Sequence, residues 1–82
     1  MGTRNQGGFK MKVQIVTLHC KKGITTLGGT TFHSFSEGET YADLHYIWRD
    51  GQHVVNYSDP ATGKRHGVSL PAHDIAQVNT VL

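Results

Sequence analysis

Two runs of alternating apolar and polar residues, 41–49 and 52–58, lie on either side of Asp50-Gly51. Asp-Gly between β-rich runs is a strong signal for a two-residue hairpin, because a type I′ turn needs positive φ at both central residues and glycine adopts positive φ without a Cβ clash. A two-residue loop also fixes the register. The predicted cross-strand pairs are Arg49 with Gln52, Trp48 with His53, Tyr46 with Val55, and Leu44 with Tyr57.

This register predicts one apolar and one polar face for the hairpin. The apolar face carries Leu44, Tyr46, Trp48, Val55 and Tyr57. The opposite face is polar except for Ile47 and Val54, which is the pattern of an antiparallel pair that is buried on one side. We therefore expect the aromatic face, including Trp48, to form the core.

A second hairpin is predicted at residues 59–64, where proline holds φ at about −65° and glycine lets the chain turn back. A third strand should follow over residues 65–70. The predicted pairs are Asp59 with Lys64, Tyr57 with His66, and Val55 with Val68. Val68 and Leu70 then lie on the same face as Trp48. The register set by the turn residues therefore agrees with the register that places the apolar side chains on one face.

The other β-rich segments are shorter or less regular. Residues 12–19 predict a first strand, but Val13 and Ile15 are out of phase with the apolar residues that follow, which indicates a bulge or a strong bend. A glycine- and threonine-rich loop leads to a short strand near residues 31–35. After Leu70 we expect one helical turn over residues 71–74 and a last strand over 76–81, although the spacing of Ile75, Val78 and Val81 also allows a short helix.

The 82 residues suffice for one domain, which we place at residues 11–82. Residues 1–10 have no periodic pattern and are expected to be a flexible leader, a cloning remnant or an upstream start, with docking of Phe9 on the domain as the competing possibility. Hydrophobic residues make up 37% of the chain and charged residues 17%, and no apolar run is long enough to span a bilayer. The lone Cys20 suits a reducing, cytoplasmic compartment.

The order of elements is strand, long irregular loop, tight hairpin, second hairpin, proline-led turn and last short strand. This layout resembles that of the small SH3-like barrels over residues 11–82, without matching a family motif. The sequence therefore predicts an all-β fold, a five- to six-stranded antiparallel SH3-like barrel or strongly bent sheet with one short helical turn near the C-terminus. An OB-like barrel is the alternative, but its strands are usually longer than these.

The candidate chemistry argues against an enzyme or a metalloprotein. The six histidines and Cys20 include no Cys-x-x-Cys, no His-Glu-x-x-His and no close histidine pair at ligand spacing, so no metal or cofactor is expected. His19 and Cys20 are adjacent, and adjacent strand residues point to opposite faces, which argues against a thiolate–imidazole pair. We expect a domain without enzymatic activity.

Two binding functions remain. The net charge of +2 disappears without the first ten residues, which leaves six basic and six acidic residues, so a nucleic-acid site would have to come from clustering. The residues that could line a binding site are Lys21, Lys22, Arg49, Lys64, Arg65 and His66. The preferred hypothesis is a protein-interaction module, such as an inhibitor or accessory protein of a virus or mobile element, and the alternative is a nucleic-acid-binding barrel that uses Lys21, Lys22, Lys64 and Arg65.

Overall fold

The structure, a computed structural model, describes residues 8–82, and the regular elements within that range are seven β-strands and one 3₁₀ turn. The strands are β1 (Phe9–Lys12), β2 (Ile15–Cys20), β3 (Phe32–Ser36), β4 (Ala42–Arg49), β5 (Gln52–Ser58), β6 (Arg65–Pro71) and β7 (Ile75–Val81), and the 3₁₀ turn (Ala72–Asp74) precedes β7. They form two antiparallel sheets: sheet A has the order β1-β4-β5-β6 and sheet B the order β3-β2-β7. The all-β class is confirmed, but the sheets do not close into a barrel, and five to six strands was an underestimate.

Both predicted hairpins are present. Asp50 and Gly51 have φ of 53° and 73°, as a type I′ turn requires, and Arg49 pairs with Gln52. In the second hairpin, the Asp59 N–H donates to the Lys64 carbonyl over 2.8 Å. The pairs Tyr57 with His66 and Val55 with Val68 are confirmed, as are Trp48 with His53 and Tyr46 with Val55.

One predicted pair is wrong, because β4 contains a bulge. Ala42 pairs with Ser58 and His45 with Asn56, so Asp43 and Leu44 together lie opposite Tyr57. Asp43 has φ of 53°, a left-handed conformation that aspartate tolerates better than most residues. The bulge thus replaces the simple pairing of Leu44 with Tyr57, although Leu44 remains fully buried.

The predicted first strand, residues 12–19, corresponds mainly to β2, and its first residue, Lys12, belongs to β1 in the other sheet. Between β1 and β2 the chain passes from sheet A to sheet B: the Val13 N–H donates to Leu44 O, and the next N–H, of Gln14, donates to Val81 O. This crossing accounts for the irregular hydrophobic phase, because Val13 and Val16 are both buried although three positions apart. β1 begins at Phe9, two residues before the expected domain boundary, and residues 1–7 of the predicted leader lie outside the described residues.

The core lies between the sheets and differs from the predicted one at Trp48. Its buried members are Val13, Val16, Leu18, Phe35, Leu44, Tyr46, Val55 and Ile75, with Val68 and Leu70 packed against them. Trp48 is only half-buried and lies outside this cluster. The reason is its position immediately before the hairpin turn, between Phe9 on β1 and His53 on β5, whose ring centroid lies 4.8 Å from that of Trp48. The predicted turn and last strand are confirmed at Ala72–Asp74 and Ile75–Val81.

Candidate functional site

The fold does not gather the predicted binding residues on one surface. Lys64, Arg65 and His66 lie at the β5–β6 turn, at one end of sheet A, whereas Arg49 precedes the β4–β5 turn at the other end. Lys21 and Lys22 belong to the Arg49 end. There the 3₁₀ turn joins the sheets, since the Lys21 N–H donates to Asp74 O and the Ala72 N–H donates to Gly51 O, both over 2.9 Å.

Arg65 is held in a polar network around the β4 bulge. Its Nη1 donates to Asp43 Oδ2 and to Ser58 Oγ, each over 2.8 Å, and its Nη2 donates to Asn56. Lys12 Nζ lies 3.2 Å from the other oxygen of Asp43. A cation that is already paired with a carboxylate and two polar side chains is poorly placed to contact a phosphate, whereas Lys64 is exposed.

The side chain of Glu37 stabilises the same bulge. Its two carboxylate oxygens accept the backbone N–H groups of Leu44, over 2.8 Å, and Asp43, over 2.9 Å. These hydrogen bonds, helped by Lys12, hold the pKa of Glu37 below its usual value. The hydrogen bond that Lys12 donates to Asp43 likewise lowers the pKa of Asp43 and raises the pKa of Lys12. Because these charges satisfy one another and the backbone, we assign this network a structural role.

A groove of about 340 Å³ opens beside the β5–β6 turn. It is lined by Glu39, Thr40, Tyr41, Tyr57, Asp59 and His66, and we call it the tyrosine groove. Tyr41 and Tyr57 meet edge to face with ring centroids 4.8 Å apart, and His66 stacks beside Tyr57 at 5.8 Å. Both tyrosines pack against the buried core on their inner side.

Of the six binding residues that were predicted from the sequence, only His66 lines the tyrosine groove. The pairing of Tyr57 with His66 was a signal that these rings are neighbours. Tyr41 could not be added from the pattern, because it precedes the β4 bulge and the sequence does not show how the bulge shifts the register there.

A second groove, of about 510 Å³, lies at the opposite end of sheet A. Its lining is Gly8, Phe9, Lys10, Ile47, Trp48, Arg49 and Asn56, and we call it the tryptophan groove. Here Arg49 lies near a second cation, Lys10, on one face of the sheet, and their strand neighbours Phe9 and Trp48 point to the other face. The sequence analysis had placed Lys10 and Phe9 in the leader, so this grouping was not predicted.

The outer face of sheet B is uncharged. It consists of three cross-strand rows: Phe32, His19 and Gln77; Ser34, Thr17 and Asn79; and Ser36, Ile15 and Val81. None of these nine residues is Asp, Glu, Lys or Arg. The polar members bond to one another, with Thr17 Oγ1 and Ser34 Oγ 3.2 Å apart and Gln77 Nε2 donating to Asn79 Oδ1 over 2.8 Å.

Three large apolar side chains on this face are exposed to solvent. The exposed fractions are 37% for Ile15, 45% for Phe32 and 53% for Val81. Ile15 and Val81 are direct cross-strand neighbours, and Phe32 lies at the other end of the face, beside the ring of His19.

Within residues 8–82, no three His, Cys, Asp or Glu side chains lie close enough together to hold a metal ion. Cys20 is a half-buried free thiol. The same part of the chain contains no helix with the length and apolar character needed to cross a membrane. No known protein family, curated protein or solved structure is significantly similar to this chain.

Proposed function

We propose that this protein is a non-enzymatic binding module that binds a protein partner through the outer face of sheet B. The observation that carries the proposal is the absence of charge from nine neighbouring positions, three of which expose large apolar side chains. Protein interfaces are depleted of charged residues at their centre and enriched in aromatic ones. Solvent-facing sheets, by contrast, commonly use charged side chains to discourage association.

The polar side chains of this face support the same function. Burying a polar group is costly when it loses its hydrogen bond to water without a replacement. Thr17 already hydrogen-bonds to Ser34 on the neighbouring strand, and Gln77 to Asn79 along β7. A partner can therefore cover them and gain from burying Ile15, Phe32 and Val81 at a low desolvation cost.

The test is affinity capture from a lysate of cells that express the chain, with and without nuclease treatment. The key variant is Ser34→Arg, which places a charge at the centre of the face, and the matched control is Ser69→Arg on exposed β6 in the other sheet. We expect a partner that resists nuclease, binds wild type and the Ser69 variant, and is lost with the Ser34 variant. Equal capture by both variants would contradict this surface assignment.

Nucleic-acid binding is the second candidate, and the tryptophan groove is the observation in its favour. Lys10 and Arg49 line this groove and provide two neighbouring cations for phosphates, whereas Phe9 and Trp48 point to the opposite face of the sheet. The cations that the sequence suggested for this function contribute less, because they lie at two ends of the fold and Arg65 is paired with Asp43. They are Lys21, Lys22, Lys64 and Arg65. If this function holds, Arg49→Glu weakens binding to single-stranded DNA and lowers its salt dependence, whereas Lys64→Glu leaves both unchanged.

The proposal also covers the compartment in which this module acts and its structural relatives. A single half-buried thiol suits a reducing compartment such as the cytoplasm, where small accessory proteins of viruses and mobile elements act. The order of the hairpins and the 3₁₀ turn remains compatible with a relation to the SH3-like barrels, and we retain that relation as part of the proposal.

A further inference from the structure

We infer that the tyrosine groove is a second binding site, specific for the alkylammonium group of a lysine or methylated lysine side chain on a peptide. This site is distinct from the proposed contact face, since its lining comes from the loop before β4 and from the β5–β6 hairpin and not from the outer face of sheet B. Three features support it: the arrangement of the rings, the charge of the lining and the size of the groove.

The rings form a corner with aromatic walls. Tyr41 and Tyr57 are nearly perpendicular, with an interplanar angle of 83°, and His66 stacks against Tyr57 with an interplanar angle of 29°. The face of a tyrosine ring carries partial negative charge and attracts a cation placed over it. Both tyrosines are fixed by the core, and Phe35 also meets Tyr41 edge to face at 5.1 Å. Binding therefore costs little side-chain ordering.

The charge of the groove selects for a cation. Two carboxylates, Glu39 and Asp59, belong to the lining, which contains no Lys or Arg. Asp43 is paired with Lys12 and Arg65, whereas no Lys or Arg of residues 8–82 forms an ion pair with Glu39 or Asp59. Asp59 uses Oδ1 to accept the Ala61 N–H over 2.9 Å. An anionic ligand would be repelled here, whereas an ammonium group meets charge of opposite sign.

The size of the groove favours a single side chain. Its volume of about 340 Å³ is at the lower end of the range for small-molecule sites. The groove is open to solvent along the turn, so a peptide backbone can remain outside while one side chain enters. The recognised group is thus the cationic end of a lysine and not a whole nucleotide or cofactor.

The experiment is a titration of ¹⁵N-labelled protein followed by NMR. The probes are N-acetyl-trimethyllysine amide, N-acetyl-lysine amide and the neutral isostere of the first, in which carbon replaces the quaternary nitrogen. We expect both cations to shift the amides of Tyr41, Tyr57 and His66, and the trimethylated cation to bind about two- to thirty-fold more tightly than the isostere. Equal affinity for cation and isostere, or shifts confined to other residues, would overturn the inference.

Matched variants separate the contributions of rings and charge. Tyr57→Phe keeps the ring and should retain binding, whereas Tyr57→Leu should abolish the preference for the cation. Asp59→Asn retains an oxygen for the Ala61 N–H, so together with Glu39→Gln it removes the charge of the groove without removing that turn bond. The double variant should weaken cation binding several-fold, while Asp50→Asn, at the other end of sheet A, should not.

These variants also test this site separately from the proposed contact face. If Tyr57→Leu fails to fold, the charge variants still decide, and equal binding by the double variant and by Asp50→Asn refutes the inference. Ser34→Arg should bind the trimethylated probe as wild type does. Loss of the protein partner with retained cation binding in that variant would show that the two sites are separate.

Discussion

The hydroxyl oxygen of Tyr46 lies 2.7 Å from Nδ1 of His53, and this hydrogen bond joins β4 to β5 beside the half-buried Trp48. Burial raises the pKa of Tyr46 and lowers the pKa of His53. Both shifts favour the neutral forms of the two side chains. In these forms the tyrosine hydroxyl group can donate a hydrogen bond to the imidazole nitrogen. Sheet A is therefore held at this point by a pair that has no charged member.

The lowered pKa of His53 makes stability depend on pH. The unfolded chain binds a proton at His53 near pH 6.5, whereas the folded chain does so only at a lower pH, so the free energy of unfolding should decrease as pH falls below about 6.5. His53→Gln should make the profile flatter between about pH 7 and pH 5. Urea unfolding at several pH values measures this slope.

Tyr46→Phe is the control for that prediction. It removes the hydroxyl group but leaves His53 half-buried, and because this partial burial is the cause of the shift, the slope should persist although overall stability falls. A slope that disappears in Tyr46→Phe would show that the hydrogen bond, and not burial, governs the titration.

A second pH effect should come from Glu37 at the β4 bulge. Its pKa is lowered, so its contribution to stability is present above the ordinary carboxyl pKa and is lost as pH falls through the lowered value. Glu37→Gln should lower the Tm at pH 7, and this loss should shrink below about pH 4 as the wild-type carboxylate becomes protonated. Thermal unfolding followed by circular dichroism at pH 7 and in acid provides the measurement.

Glu39→Gln serves as the matched control for Glu37→Gln. It removes the same charge two residues further along the chain, but Glu39 forms no bond to the bulge among the described residues. If both variants lower the Tm equally at pH 7, general charge and not support of the bulge explains the effect.

The two turns could be predicted from the sequence because their geometry depends on one or two residues. Asp50-Gly51 requires positive φ locally, and the pairs next to it follow from loop length. The bulge at Asp43 depends on a hydrogen bond to Glu37, six residues earlier across a loop, and on one from Lys12, 31 residues earlier, and the alternation of apolar and polar residues encodes neither. For the same reason, the passage of the chain from sheet A to sheet B at Val13 could be detected in the sequence only as a break in the alternation of apolar and polar residues.

The candidate surfaces were harder to predict than the fold. The tyrosine groove and the face of sheet B combine residues from strands that are far apart in the chain, such as Tyr41 with His66 and Ile15 with Val81. Single-sequence reasoning instead selected cations that are adjacent in sequence. Lys64 and Arg65 are neighbours and both are exposed, but the guanidinium group of Arg65 is held in the Asp43 network.

That difference leads to a prediction for Lys64 and Arg65. Lys64→Glu should change the free energy of unfolding by no more than about 0.5 kcal/mol, because the residue is an exposed turn position. Arg65→Glu places a carboxylate against Asp43 and removes the donor to Ser58, so its destabilisation should exceed that range. Urea unfolding at low salt and at 1 M salt tests both, and the penalty for Arg65→Glu should decrease at the higher salt.

The last prediction concerns the boundary of the core. Leu18 is fully buried between the sheets, and Leu18→Ala should lower the free energy of unfolding by about 2 to 5 kcal/mol, since the change removes apolar contacts and leaves a cavity. Trp48 keeps part of its surface in water and contacts His53 at the end of sheet A, so Trp48→Ala should cost less than Leu18→Ala despite removing a larger side chain. Urea unfolding followed by circular dichroism suits both variants, because the single tryptophan is absent from one of them. A larger loss for Trp48→Ala would mean that the tryptophan groove is closed in solution and that this residue belongs to the core.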